Sequence, residues 1–134
     1  MSSTQELPTT ERIRPVRRFK AVELAVAGLV VVAIFIQSVL AGQHLVFGSS
    51  IVLHGIIGST VFLLQVVVIV LVFLDRASME HKVTAIVIFG LLFAQIGLGY
   101  ASRTGGSSLV AMHIPLGIVL FGASTWQLAV LRLK

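Results

Sequence analysis

Apolar residues fill this chain in four long runs separated by short polar stretches. The runs cover about residues 21–42, 50–74, 83–101 and 108–131. Each is close to the roughly 20 residues that carry an α-helix across a bilayer. Val and Ile are abundant, which in water would favour strands. In lipid, a spanning segment must satisfy its own backbone N–H and C=O groups, so the runs predict helices. The links at 43–49, 75–82 and 102–107 are short. Short links set chain neighbours antiparallel, which predicts an all-α membrane protein, an up-down bundle of four transmembrane helices.

The pattern repeats. Gly48–Gly58 reads GSSIVLHGIIG and Gly106–Gly117 reads GSSLVAMHIPLG. Each copy opens with Gly-Ser-Ser, enters an apolar run, places one His, and follows that His with Gly at the fourth position. Gln37 and Gln95 each precede their Gly-Ser-Ser by the same distance along the chain. The second copy carries one extra residue before its His. Such self-similarity points to a duplicated two-helix hairpin. The first run follows a basic segment, as in a signal peptide, but is too long for a signal core. It is also half of the repeated unit, so it is read as a helix.

Composition narrows the chemistry. With 134 residues the chain makes one domain, and 57% of those residues are hydrophobic against 11% charged, the balance of a membrane protein. There is no Cys, which removes thiolate metal sites, disulfides and Cys nucleophiles. The net charge of +5 is read as topology rather than as nucleic-acid binding. Arg12, Arg14, Arg17, Arg18 and Lys20 precede the first run, Arg76 and Lys82 occupy the middle link, and Arg132 and Lys134 close the chain. Only Arg103 falls on the other side. The positive-inside rule then places both termini in the cytoplasm. Residues 1–20 are expected to be a disordered basic tail, and 21–134 the membrane domain.

Polar residues inside a span are expensive and mark sites. Gln37, His54, Gln95 and His113 contribute one such residue per run. By the 1.5 Å helical rise they share one level, on the order of 5–10 Å below the outer interface. Helices two and four of a square bundle are diagonal, so His54 and His113 would approach the axis from opposite sides. Two facing imidazoles suit the two axial positions of one haem iron. Gly58 and Gly117 lie on the same helix faces as their histidines. They are expected to leave room for a flat macrocycle. Gln37 and Gln95 are expected to support the site at its edge. The competing structural reading is a small-residue seam with His bonding across it.

Other residues carry less. Arg103 suits a haem propionate at the outer mouth or a solvated loop. Pro115 is expected to disturb the first turns of the fourth helix. His44 and His81 are expected to be surface or loop residues, and Tyr100 and Trp126 interfacial anchors. Gln65, Ser124, Thr125 and Gln127 lie toward the inner side with no convergent site. Two His without a nearby carboxylate or Cys leave zinc short of ligands.

At Gln95, Gly99, Gly105-Gly106 and His113, and at Gln37, Gly42 and His54, the chain resembles one four-helix half of the heme A synthase family. The resemblance covers about residues 21–131. It implies His54 and His113 as haem b ligands. Heme A synthases carry an acidic residue about one turn before the His of the first site; here Ser50 and Ile51 stand there. Loop cysteines and the second bundle are also missing. The likeness is therefore to the half that holds haem as a fixed cofactor.

Three functions follow as expectations. The first is a small cytochrome b-like membrane protein in a bacterial plasma membrane, serving electron transfer or haem handling rather than catalysis. Its expected partners are lipid, a redox partner or oxidase-related membrane proteins, and a second copy of the chain, with no nucleic acid. The second is a partner-dependent enzyme of the heme A synthase type. The third is a cofactor-free assembly or scaffold subunit.

Overall fold

The computed structural model describes residues 17–105 and 107–133. Most of the expected tail (1–16), Gly106 and Lys134 lie outside the described residues. The described chain folds as helices α1 (Lys20–Phe47), α2 (Val52–Leu74), α3 (Met79–Gly105) and α4 (Ser107–Leu133). All four are long and apolar enough to cross a membrane.

The helices outrun the apolar stretches that predicted them. α1 continues through Gly42, Gln43 and His44 to Phe47. It stops at Gly48, whose φ of 65° is a left-handed cap and whose N–H bonds the His44 carbonyl at 3.0 Å. The Gly that opens the first repeat motif is thus a helix stop. α3 starts at Met79 rather than near 83 and continues through Ser102 and Arg103, which composition placed in a loop. α2 ends in a Schellman closure: Arg76 takes φ 48°, its N–H bonds Phe73 O at 3.1 Å, and Ala77 N–H bonds Val72 O at 2.9 Å. α4 runs through Pro115. Proline has no N–H, so the Ala111 carbonyl lacks its usual helical donor there.

α1 packs on α2 and α4, and α3 packs on α2 and α4; α1 and α3, like α2 and α4, stand on opposite diagonals of the bundle. The interior follows the duplication. Gln37 and Gln95 are 58 positions apart, His54 and His113 are 59. The same shifts relate buried Ala27 to Ala85, Val30 to Ile88, Ile34 to Leu92, Val61 to Leu120 and Val72 to Leu131. They also relate buried Gln65 to Ser124, Val68 to Gln127 and Glu23 to His81. Burial at matching positions is what a hairpin packed against its own copy produces. Below the histidines, Val30, Ile34, Val61, Ile88, Leu92 and Leu120 form one apolar cluster. Farther along, Ala27, Val68, Val72, Ala77, Ala85 and Leu131 form a second.

The end of the bundle away from His54 and His113 holds polar groups that composition had placed in solvent. His81, expected to be solvated, is buried: Ser78 Oγ lies 2.7 Å from its Nδ1, and its Nε2 donates to the Val130 carbonyl at 3.3 Å. The reason is that α3 begins at Met79, so His81 belongs to a packed first turn. Glu23 is fully buried and ion-paired with Arg17. Arg17 therefore turns into the bundle instead of joining a solvated basic patch. The Phe19 N–H donates to Asp75 Oδ2 at 2.8 Å, tying the start of α1 to the end of α2.

Candidate cofactor site

The two hairpins build their polar layer in the same way. In the first, Gln37 on α1 donates from Nε2 to the His54 carbonyl on α2 at 2.8 Å. In the second, Gln95 on α3 donates from Nε2 to the His113 carbonyl on α4 at 3.0 Å. Each amide needs space beside the opposing helix, and a glycine supplies it. A Cβ on Gly58 would stand 2.9 Å from Gln37 Nε2, and one on Gly117 would stand 3.1 Å from Gln95 Nε2. The glycines were expected to clear room for a flat ring. Beside their Cα atoms the space is instead held by the glutamine amides, although both glycines still line the cavity described below.

The rings of His54 and His113 face each other with centroids 6.2 Å apart and planes inclined at 62°. His54 Nδ1 lies 3.2 Å from the Gln37 carbonyl. A carbonyl only accepts, so that bond puts the proton on Nδ1 and leaves the Nε2 lone pair free. His113 differs. Its Nε2 is 3.3 Å from the Gln95 amide nitrogen, and its Nδ1 is buried with no protein partner. A Cβ on Gly99 would meet His113 Cε1 at 3.1 Å, so this glycine seats the ring. The role of Gly99 as a ring seat was not visible in its spacing, since its counterpart in the first copy is Ala41.

Both rings stand in the wall of a cavity of about 550 Å³ between the four helices. That is within the usual range of roughly 300–1,000 Å³ for sites that hold a small molecule or cofactor. Gln37, Gln95, Gly58, Gly117 and Arg103 also line it, so every residue that sequence assigned to the site reaches one space. Arg103 lies at the rim, exposed, with its guanidinium carbon 4.6 Å from the centre of the Tyr100 ring. His44 stays near the same rim, its Nδ1 donating to the Ser49 carbonyl at 2.6 Å. The described carboxylates Glu23, Asp75 and Glu80 sit at the opposite end of the bundle. Among the described residues, no group of three His, Cys, Asp or Glu gathers that could hold a metal ion by itself.

Gln65, Ser124 and Gln127 are buried between the two apolar clusters, and Thr125 is exposed. Gln65 Nε2 donates to the Ala85 carbonyl at 3.0 Å. These groups do not reach the His54–His113 cavity.

The fold and the cavity define a membrane-type four-helix bundle with a two-histidine chamber near one end. Comparison with protein-family models, curated proteins and solved structures found no match to this chain.

Proposed function

We propose that this protein holds one b-type haem between His54 and His113 and handles single electrons. The observation that carries the reading is the 6.2 Å separation of the facing rings. With two metal–nitrogen bonds of about 2 Å and two ring radii of about 1.1 Å, two imidazoles that held one iron between them would stand about 6 Å apart. The pair is already set at that spacing without any rearrangement of α2 or α4.

The donor set points the same way. Two imidazoles are too few for a tetrahedral zinc site, whereas a porphyrin brings four nitrogens of its own and needs only axial ligands. His54 has its Nδ1 proton fixed by the Gln37 carbonyl, which orients Nε2 as a ligand. His113 Nε2 accepts from the Gln95 amide at 3.3 Å, which leaves the proton on its unpartnered Nδ1, so this ring would ligate through Nε2 by releasing that weak contact. Gln37 and Gln95 hold the backbone that carries each ring. Arg103 is the cation available to the propionates. A bound haem b supplies one-electron redox chemistry, and two axial histidines leave no coordination position for a substrate.

In this reading the bundle runs up and down with both termini in the cytoplasm, following the Lys and Arg bias, and the chamber opens near the outer face of a bacterial plasma membrane. The test is a reduced-minus-oxidised spectrum of the full chain purified from haem-replete cells, beside His54→Ala and His113→Ala. Wild type should show a sharp low-spin b-type α-band, and each variant should lose it. A colourless wild-type protein would overturn the proposal and favour a cofactor-free assembly subunit.

A further inference from the structure

The duplication makes the chamber nearly twofold symmetric, and a symmetric chamber does not distinguish a haem from the same haem turned by half a revolution. Besides the Gly99–Ala41 difference beside the rings, the protein breaks that symmetry at the rim. On the α2–α3 side the rim carries Gly55, Ser59, Tyr100 and Arg103. The same repeat shifts put Ile114, Ile118, Gly42 and Leu45 on the α4–α1 side. The α2–α3 positions carry a cation and hydroxyls and their α4–α1 counterparts are apolar, while His44 at the end of α1 is engaged by the Ser49 carbonyl.

The exchange is coupled across helices. Arg103 Nη2 lies 3.4 Å from where a Cβ on Gly55 would be, so the guanidinium rests against a bare stretch of α2. In the other copy the bulk is reversed, with Ile114 in place of Gly55 and Leu45 in place of Arg103. Tyr100 supports the guanidinium from α3. No described carboxylate neutralises Arg103, and the ion pairs of the described residues all lie at the far end. A free cation at the mouth of a low-dielectric chamber selects an anionic edge.

We propose that Arg103, seated on Gly55 and Tyr100, imposes a single orientation on the haem, with its carboxylate-bearing edge on the α2–α3 side. The proposal rests on the haem reading above and adds to it the face by which the ligand meets solvent. Arg103 acts here as a positioning residue.

The experiment is proton NMR of the ferric full chain loaded with haem b, in which each orientation gives its own set of hyperfine-shifted haem methyl signals. Wild type should show one dominant set. Charge-assisted bonds from Arg103 correspond to about tenfold or more in the orientation ratio. In the haem-bound fraction, Arg103→Leu should give two sets of comparable intensity, and Arg103→Lys should restore most of the bias. Two comparable sets in wild type would overturn the proposal, as would one unchanged set in Arg103→Leu. Arg103→Gln, which keeps the length and polarity of the side chain, gives the same comparison if the Leu variant fails to accumulate. A chain that binds no haem overturns the haem reading itself and this inference with it; a haem-loaded chain with no orientation effect overturns only the inference.

Discussion

Gln37 and His54 are bonded to each other twice, once in each direction. The Gln37 side chain donates to the His54 backbone, and the His54 side chain donates to the Gln37 backbone. The pair therefore fixes both the spacing of α1 against α2 and the tilt of the ring. Gln95 and His113 share the first of these bonds. Replacing Gln37 or Gln95 by Leu should cost about 1 kcal/mol of stability, the upper part of the range for hydrogen bonds between membrane helices. Denaturant titration in detergent micelles checks this. The α-band should broaden or shift rather than vanish, since the ring nitrogens remain.

The fit of the glutamine amides against Gly58 and Gly117 gives a sharper test. Gly58→Ala places a methyl group within 2.9 Å of Gln37 Nε2. Forcing that amide aside should destabilise the bundle by about 1–3 kcal/mol. In a Gln37→Ala background the methyl group meets no amide, so most of the penalty should disappear. A double-mutant cycle reads this as a coupling. Additive penalties would show that the amide is not what Gly58 accommodates.

Gly99 predicts a functional effect with a built-in control. A Cβ there presses on His113 at 3.1 Å, whereas one at Gly97 meets nothing within 4 Å. Gly99→Ala should turn the His113 ring and change the low-spin signal of the haem-loaded chain. Gly97→Ala should leave it alone. Electron paramagnetic resonance of the ferric form reports the relative orientation of the axial rings and would register the difference.

At the far end, Glu23 is buried and paired with Arg17. Removing one member of a buried pair costs up to about 3–5 kcal/mol when the other is left alone; here Asp75, 4.0 Å from Arg17, keeps the cost toward the low end of that range. Glu23→Leu should lower stability on that scale. The double change Arg17→Met with Glu23→Leu should recover only part of it, because buried Asp75, 4.0 Å from Arg17, loses its cation and keeps only the Phe19 N–H. Denaturant titration of the three chains separates the two effects.

Much of this architecture was readable from spacing alone. Four runs of membrane length gave four helices, and the near-equal offsets of 58 between Gln37 and Gln95 and 59 between His54 and His113 pointed to the two facing rings of one chamber. What escaped reading has physical causes. His81 sits between Glu80 and Lys82, where composition cannot distinguish a solvated link from the packed first turn of a helix. Gly42 and the Ser102–Gly105 stretch resemble breaks, yet Gly and Ser are tolerated inside helices whose neighbours pack against them. The use of Gly58 and Gly117 to admit an amide depends on a contact between two helices, and no single helix's periodicity contains that information.

The apolar clusters beneath the two rings bear on energy conservation. Val30, Ile34, Val61, Ile88, Leu92 and Leu120 close the bundle axis with hydrocarbon. Protons need a chain of polar partners to move, and among the described residues none crosses that layer. In the haem-binding reading, a ligand seated in this chamber would meet water only at the mouth. The hydrocarbon beneath it would keep such a bundle from conducting protons across an energised bilayer.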